Sequence, residues 1–272
     1  MRVRLACYAL VVLASVFPAS AQPAIFTQFA QNASIVSHDG ANFADISAKA
    51  EAGDLQAQFA LGVLYAIGQS VPKDPGKAMT WWRKAAEQGY APAQERLGTE
   101  YLFGPNADRG EAEIWLRRAA MQGNVHAQFW LGAAYQQGRF GSPNFAEALK
   151  WLRFAANKDN QDAQACLGQM YEDGEGVAQD YRTAAKWYRK AAEHVPDLGG
   201  ANQGRHRLAQ LYLDGTGVPK SNITAYMWFA LAHSQDDLKQ LQAKMTPAQI
   251  AQAQNMTADW IKQHPVQQIS NQ

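Results

Sequence analysis

The sequence predicts an all-α chain, an α/α solenoid of about five helix–turn–helix repeats closed by a C-terminal capping helical segment. Three observations predict it. Tryptophans at 81, 115, 151, 187 and 228 stand 34, 36, 36 and 41 residues apart, the spacing of stacked helical hairpins. Other columns keep the same beat: Ala57, Ala93, Ala127 and Ala163 with Gly204; Leu61, Leu97, Leu131, Leu167 and Leu208; Tyr65, Tyr101, Tyr135, Tyr171 and Tyr212. Finally, Asp74, Asp108, Asn144, Asp180 and Ser221 each lie four residues before a recurrent alanine. All five residue types accept hydrogen bonds from the free N–H groups of a first helical turn.

The N-terminus reads as a targeting segment. Arg2 and Arg4 begin it, an apolar run follows from Leu5 to Phe17, and Ala19-Ser20-Ala21 forms a small-residue cleavage site. The expectation is a signal peptide over 1–21, removed after Ala21, and a periplasmic or secreted bacterial protein. The apolar run is too short for a retained anchor, so no stable membrane insertion is expected after its removal. A lipoprotein reading through Cys7 fails, because Arg4 stands where an aliphatic residue is needed and the apolar run comes after that cysteine. Residues 22–49 form a lead-in and N-terminal cap, with a short helix over Phe43–Glu51.

The repeats then occupy 50–232, divided as 50–85, 86–119, 120–155, 156–191 and 192–232. The fourth copy shows the unit most plainly. Ala163, Leu167 and Met170/Tyr171 make one apolar stripe on its first helix. Gly168 lets the second helix approach, and Gly174 and Gly176 supply the turn. Ala184, Trp187/Tyr188 and Ala191 share one face of the second helix, so the tryptophan column is expected in the core. After the last repeat, 233–264 forms a C-terminal helical cap. Asp236–Met245 is polar and helical. Thr246-Pro247-Ala248-Gln249 is a capping box with proline at the first helical position, opening a helix with Ile250, Ala253, Thr257 and Trp260/Ile261 on one side. Residues 265–272 are expected to be a disordered tail.

Charge and cysteine content exclude several functions. Without 1–21 the chain loses two arginines and no acid, leaving 23 basic and 24 acidic residues, formally −1. With no basic run, nucleic acid is not an expected partner. Only Cys166 would remain, so no internal disulfide is possible. The histidines show no i,i+4 pair or cysteine partner at zinc spacing, and no metal or cofactor is expected. Asp173-Gly174-Glu175-Gly176 lacks the alternating ligands of a calcium loop and reads as a turn. Ser70-Val71-Pro72-Lys73 matches the S-x-x-K nucleophile motif. It falls in an interhelical turn, however, without S-D-N or K-T-G companions, and reads as a turn with serine in place of glycine. Arg205-His206-Arg207 is a basic cluster on a first helix, open to a local anion-binding role or to a solvated face.

The combined motif resembles the Sel-1-like repeat family, relatives of the tetratricopeptide repeats. It is carried by A-Q-x-x-L-G-x-x-Y at 163–171, G-x-G-V at 174–177 and K-W-Y-R-K-A-A-E at 186–193, with V-P-K-D at 71–74 and W-W-R-K-A-A-E at 81–87. The second copy departs from it by lacking the G-V-P-K-D turn. The fifth has Ala209 after its leucine and a longer entry loop. Some bacterial relatives carry a disulfide in each repeat; this chain has none, so their penicillin-directed activity is not carried over. The resemblance implies a right-handed superhelix whose first helices line the inner surface. It thereby gives Arg96, Thr99, Trp130, Gln137, Gln169, Arg207 and Gln210 as candidate groove contacts. Cys166 shares the register of Arg96, Trp130 and Arg207 and is expected at the groove wall, partly open to solvent. The implied function is that of a non-enzymatic scaffold or adaptor, an exported regulator or host- or envelope-interaction protein. It would bind a protein or peptide along the groove, as a monomer or weak dimer. The competing classes are an enzyme acting on cell-wall material or β-lactams, for which no converging nucleophile and base is found, and a structural assembly factor.

Overall fold

A computed structural model describes residues 41–194 and 199–264. The expected signal peptide, the first part of the lead-in and the tail at 265–272 lie outside the described residues. Among those residues are thirteen helices and no strand: α1 (Ala41–Glu51), α2 (Leu55–Ile67), α3 (Pro75–Glu87), α4 (Ala91–Phe103), α5 (Arg109–Met121), α6 (Val125–Gln136), α7 (Phe145–Ala156), α8 (Gln161–Asp173), α9 (Tyr181–Ala192), α10 (Gly200–Asp214), α11 (Asn222–Leu231), α12 (Gln235–Gln242) and α13 (Pro247–Gln263). The pairs α2/α3, α4/α5, α8/α9 and α10/α11 are packed hairpins, with α6 and α7 supplying the remaining copy. The chain is an α/α solenoid of five repeats.

The N-cap column holds in all five copies. Asp74 accepts from Lys77 N, Asp108 from Gly110 N and Glu111 N, Asn144 from Glu147 N, Asp180 from Arg182 N and Thr183 N, and Ser221 from Thr224 N. Each cap satisfies N–H groups that the helix cannot satisfy itself. The turns follow the glycines. Gly68, Gly174 and Gly215 end α2, α8 and α10 in the left-handed conformation, at φ 78°, 72° and 75°. Two residues further on, Ser70 sits at φ 64° where Gly176 and Gly217 sit at 70° and 72°. The serine of the S-x-x-K match is therefore a turn residue. In the copy without the turn motif, Gly104 is extended instead, at φ −74°.

Two compact units arise: the described residues of Met1–Ala134 with Gly138–Ser142, and those of Tyr135–Gln137 with Pro143–Gln272. In the first unit, Ala78, Trp82, Ala85, Leu97 and Trp115 form one core cluster, and Ile46, Leu61 and Leu64 another against the N-terminal helix α1. In the second unit, Tyr188, Leu208, Trp228, Phe229, Leu238 and Ala253 belong to a core that continues into the cap. There the capping box of Thr246 and Gln249 opens α13 as expected. Ile261, placed on the buried side by the sequence pattern, is exposed instead, while Trp260 packs on the core edge-on to Trp228.

The tryptophan column is the principal correction. Trp115, Trp151 and Trp228 are buried, but Trp81 and Trp187 are only half-buried. The fully enclosed column is one residue later: Trp82, Leu116, Leu152, Tyr188 and Phe229. Glycine explains why. A Cβ on Gly98 would lie 2.5 Å from Leu116, and one on Gly168 2.5 Å from the Tyr188 ring. Gly62, Gly98 and Gly168, each directly after its repeat leucine, thus receive this later column, and the tryptophan beside it flanks the interface. At that flank, tryptophans pair with cations: Lys84 with Trp81 at 4.1 Å, Arg118 with Trp115 at 4.7 Å, Lys190 with Trp187 at 4.6 Å and Lys150 with Trp151 at 5.0 Å.

A buried polar ladder joins successive hairpins. Gln58, Gln94, Gln128 and Gln164 each donate through Nε2 to the carbonyl eight residues earlier, Ala50, Ala86, Ala120 and Ala156, at 3.0–3.2 Å. Those carbonyls lie at helix C-termini, which have acceptors to spare. In the fifth copy Arg205 takes the glutamine's place. Its Nε donates to Ala192 O at 2.9 Å, its Nη2 to His194 O at 2.9 Å and its Nη1 to Leu231 O at 3.2 Å. The guanidinium lies 4.9 Å from the Trp260 ring centroid. A fully buried arginine among carbonyls at the ends of α9 and α11, where the helix dipole is negative, is a structural bolt for the end cap. It is not part of an anion site.

Candidate functional site

The candidate contacts fall in two sets, one in each unit. In the first unit Arg96 reaches along α4 to Glu100, at 2.5 Å, and its guanidinium lies 4.8 Å from the Trp82 ring centroid. Thr99 is nearly buried and its hydroxyl donates to Arg96 O at 2.9 Å, so that group is used within its own helix. Trp130 is half-buried and packs edge-on against Phe103 at 5.2 Å, with Phe129 at 4.8 Å. It therefore does two things at once: it seals against the preceding repeat and leaves part of its ring at the surface. Arg139 extends this patch, 5.9 Å over Phe103.

Beside this set lies a group that the sequence reading passed over. Glu95 is 5% exposed, and burial pushes its carboxyl up to about 7, against a smaller opposing effect of Arg96. Its counterparts in the other copies are Phe59, Phe129, Ala165 and His206. An acid in a mainly apolar column is the signal that marks it.

In the second unit the face is a continuous polar chain. Tyr188 OH donates to Glu172 at 2.6 Å. Glu172 stands 3.8 Å from Arg207, whose Nη1 donates to Gln210 Oε1 at 3.1 Å. Gln210 meets His206 at 2.9 Å, and His206 meets Ser234 Oγ at 2.9 Å with Asp237 at 3.6 Å. Burial lowers the His206 pKa; Asp237 raises it in part and Arg207 lowers it further. Gln169, on α8, is nearly buried, and its Oε1 has no hydrogen-bond partner among the described residues. Gln137 is half-buried at the turn after α6, and its neighbour Gln136 donates to Glu175 at 2.9 Å. The sequence supplied Arg207 and Gln210 but missed Glu172, which links them to the hairpin partner Tyr188.

Cys166 contradicts the expectation of a partly open thiol, being 2% exposed. The error lies in reading exposure across a column of unequal side chains. Ala60, at the same place, is equally covered, whereas Arg96 and Arg207 extend from a buried base to reach the surface. Maleimide should therefore label Cys166 of a Cys7→Ser chain only after denaturant. Rapid labelling of the folded chain would contradict its burial.

Large apolar side chains are also exposed on second helices: Ile114 and Met121 on α5, and Phe154 on α7. Among the described residues no group of histidine, cysteine, aspartate and glutamate side chains has the arrangement of a metal site. None of their helices is long and apolar enough to cross a membrane.

With repeat geometry and polar face in place, comparison with known proteins defines the class. The Sel1 repeat profile matches residues 55–90, 91–124, 125–160, 161–194 and 203–237, well over half of the chain. The chain belongs to the Sel1 repeat family. Sel1 repeats generally mediate protein–protein interaction, and their proteins are typically non-enzymatic scaffolds. Among solved structures, it is similar to c5321, a protective antigen of uropathogenic Escherichia coli strains with an SLR fold. The two share 33% identity over 82% of this chain, with a TM-score of 0.75. This chain spans about half (49%) of the length of that protein. It is also similar to a Sel1 repeat protein from Oxalobacter formigenes, at 26% identity and a TM-score of 0.63, over 76% of this chain and 89% of that one. No curated protein sequence gives a significant match.

Proposed function

We propose that the chain is an exported, non-enzymatic adaptor that binds a protein or peptide segment on its first-helix face. The observation that carries this reading is the polar chain on α8, α10 and α12. Arg207 and Gln210 stand there between the hairpin partner Tyr188 and the end cap. Such a face offers directional donors and acceptors over a rigid base, which suits a peptide backbone and its side chains. In the other unit Trp130 and Arg96 supply an aromatic and a cation, residue types common among binding hot spots. Arg96, Trp130, Gln137, Arg207 and Gln210 are the contacts proposed to reach a partner, whereas Thr99 and Gln169 are nearly buried. The leader-like sequence at 1–21 supports a periplasmic or secreted location, and the near-neutral charge disfavours nucleic acid.

The test is site-specific photo-crosslinking in a bacterial host, from first-helix positions and from second-helix positions. The same recovered protein reports its own N-terminus, expected at Gln22.

A further inference from the structure

We infer that His206 is a proton-operated latch on the proposed binding face, coupled through the Gln210 amide to the freedom of Arg207. The chain of hydrogen bonds fixes every orientation. Arginine only donates, so the Gln210 atom 3.1 Å from Arg207 Nη1 is its oxygen. The amide NH2 must then face His206, whose Nε2 lies 2.9 Å away and accepts. His206 is therefore neutral, with its proton on Nδ1. That proton points to Ser234 Oγ at 2.9 Å, with the Asp237 carboxylate 3.6 Å away.

Protonation cannot leave this arrangement intact. A proton arriving at Nε2 sets an N–H against the Gln210 NH2, donor facing donor. A half-turn of the amide relieves this by presenting Oε1 to the imidazolium. The same half-turn places NH2 against Arg207, so Arg207 loses its acceptor and keeps only Glu172, at 3.8 Å. The charged groups around the ring favour the same two states. Asp237 on the end cap stabilises the imidazolium, and Arg207 on the ring's own helix opposes it. From α11 the ring meets only Phe229, edge-on at 5.4 Å. Burial holds the neutral form near neutrality, so the latch opens in mild acid and presents Arg207 to an acidic partner segment.

This inference rests on the first-helix face being the binding face, but its test needs no partner. The experiment is a long-range 1H–15N correlation on the labelled full chain, from pH 8 to pH 5. At pH 8 His206 should show the Nδ1–H tautomer. On acidification it should titrate below the ordinary imidazole value of about 6.5. The Gln210 side-chain NH2 and Arg207 Nε–H resonances should shift with the same midpoint. In Gln210→Leu, His206 should still titrate while Arg207 loses its pH-dependent shift, and in His206→Asn the Arg207 shift should also vanish. An Nε2–H tautomer at pH 8 would overturn the inference. So would Gln210 and Arg207 resonances that stay still while His206 titrates, or an Arg207 shift that survives in Gln210→Leu. Each of these leaves the binding face itself standing, since that is tested separately by crosslinking.

Discussion

Tyr188→Ala is expected to destabilise the chain by roughly 3–5 kcal/mol, whereas Trp187→Ala costs clearly less, about 1–2 kcal/mol. The difference follows from where the two rings lie. Tyr188 is fully enclosed, seated on Gly168 of the facing helix, and donates to Glu172 at 2.6 Å. Its removal leaves a cavity that the glycine opposite cannot fill. Trp187, although the larger ring and the more regular marker of the repeat, is half-buried under Lys190. Water reaches it in the folded state already, so less apolar surface is returned to water on truncation. Tyr188→Phe separates the ring from its hydroxyl and should cost less than Tyr188→Ala, about 1.5–3 kcal/mol for the lost hydrogen bond to a carboxylate. Urea titrations of the three variants measure this directly. Equal losses at 187 and 188, or a larger loss at 187, would contradict the packing described above.

Glu95→Gln is expected to stabilise the chain at pH 8, by an amount on the order of 3 kcal/mol at about 1.4 kcal/mol per pKa unit. The sign follows from linkage. Burial raises the folded-state pKa of Glu95 from 4.5 to about 7. Its contribution is therefore fully present below about pH 4.5 and is lost as pH rises through about 7. Above that pH the folded chain carries a buried carboxylate. The neighbouring cation, Arg96, is itself held by Glu100 at 2.5 Å and offsets the cost only in part. Glutamine keeps the shape and removes the ionisation. The stability difference between variant and parent should open between about pH 4.5 and 7 and stay constant above. A variant no more stable than its parent at pH 8, or a difference independent of pH, would show that Glu95 reaches solvent.

Local chemistry was legible in the sequence wherever it depends on a short stretch of backbone. The five N-caps, the glycine-led turns, the capping box at Thr246 and the serine standing for glycine at position 70 all involve neighbours within a few residues. Their residue types admit few alternatives. Packing depth was less legible. Trp187 and Tyr188 are adjacent on one helix, and the pattern could not say which of them the glycine of the facing helix would receive. The glutamine beside each recurrent alanine was visible as a motif, but its partner is a carbonyl, which has no letter in the sequence. For the same reason Arg205 read as part of a basic cluster although backbone oxygens enclose it. Cys166 was misplaced because a column of long side chains reports reach rather than depth. At the candidate site, Arg207 and Gln210 could be proposed from register alone. Glu172 and Ser234 join them only through the three-dimensional pairing of α8, α10 and α12.

Photo-crosslinking separates binding on the first helices from binding on the second helices. A photoreactive phenylalanine analogue is placed at Trp130 or Gln210 on first helices, and at Ile114 or Phe154 among the exposed apolar positions of second helices. If the first helices form the binding face, a discrete crosslinked protein band arises from Trp130 and Gln210, is lost from the Gln210 probe when Arg207 is replaced by alanine, and is absent from Ile114 and Phe154. Crosslinks confined to Ile114 and Phe154 would contradict this and move the binding surface to the second helices.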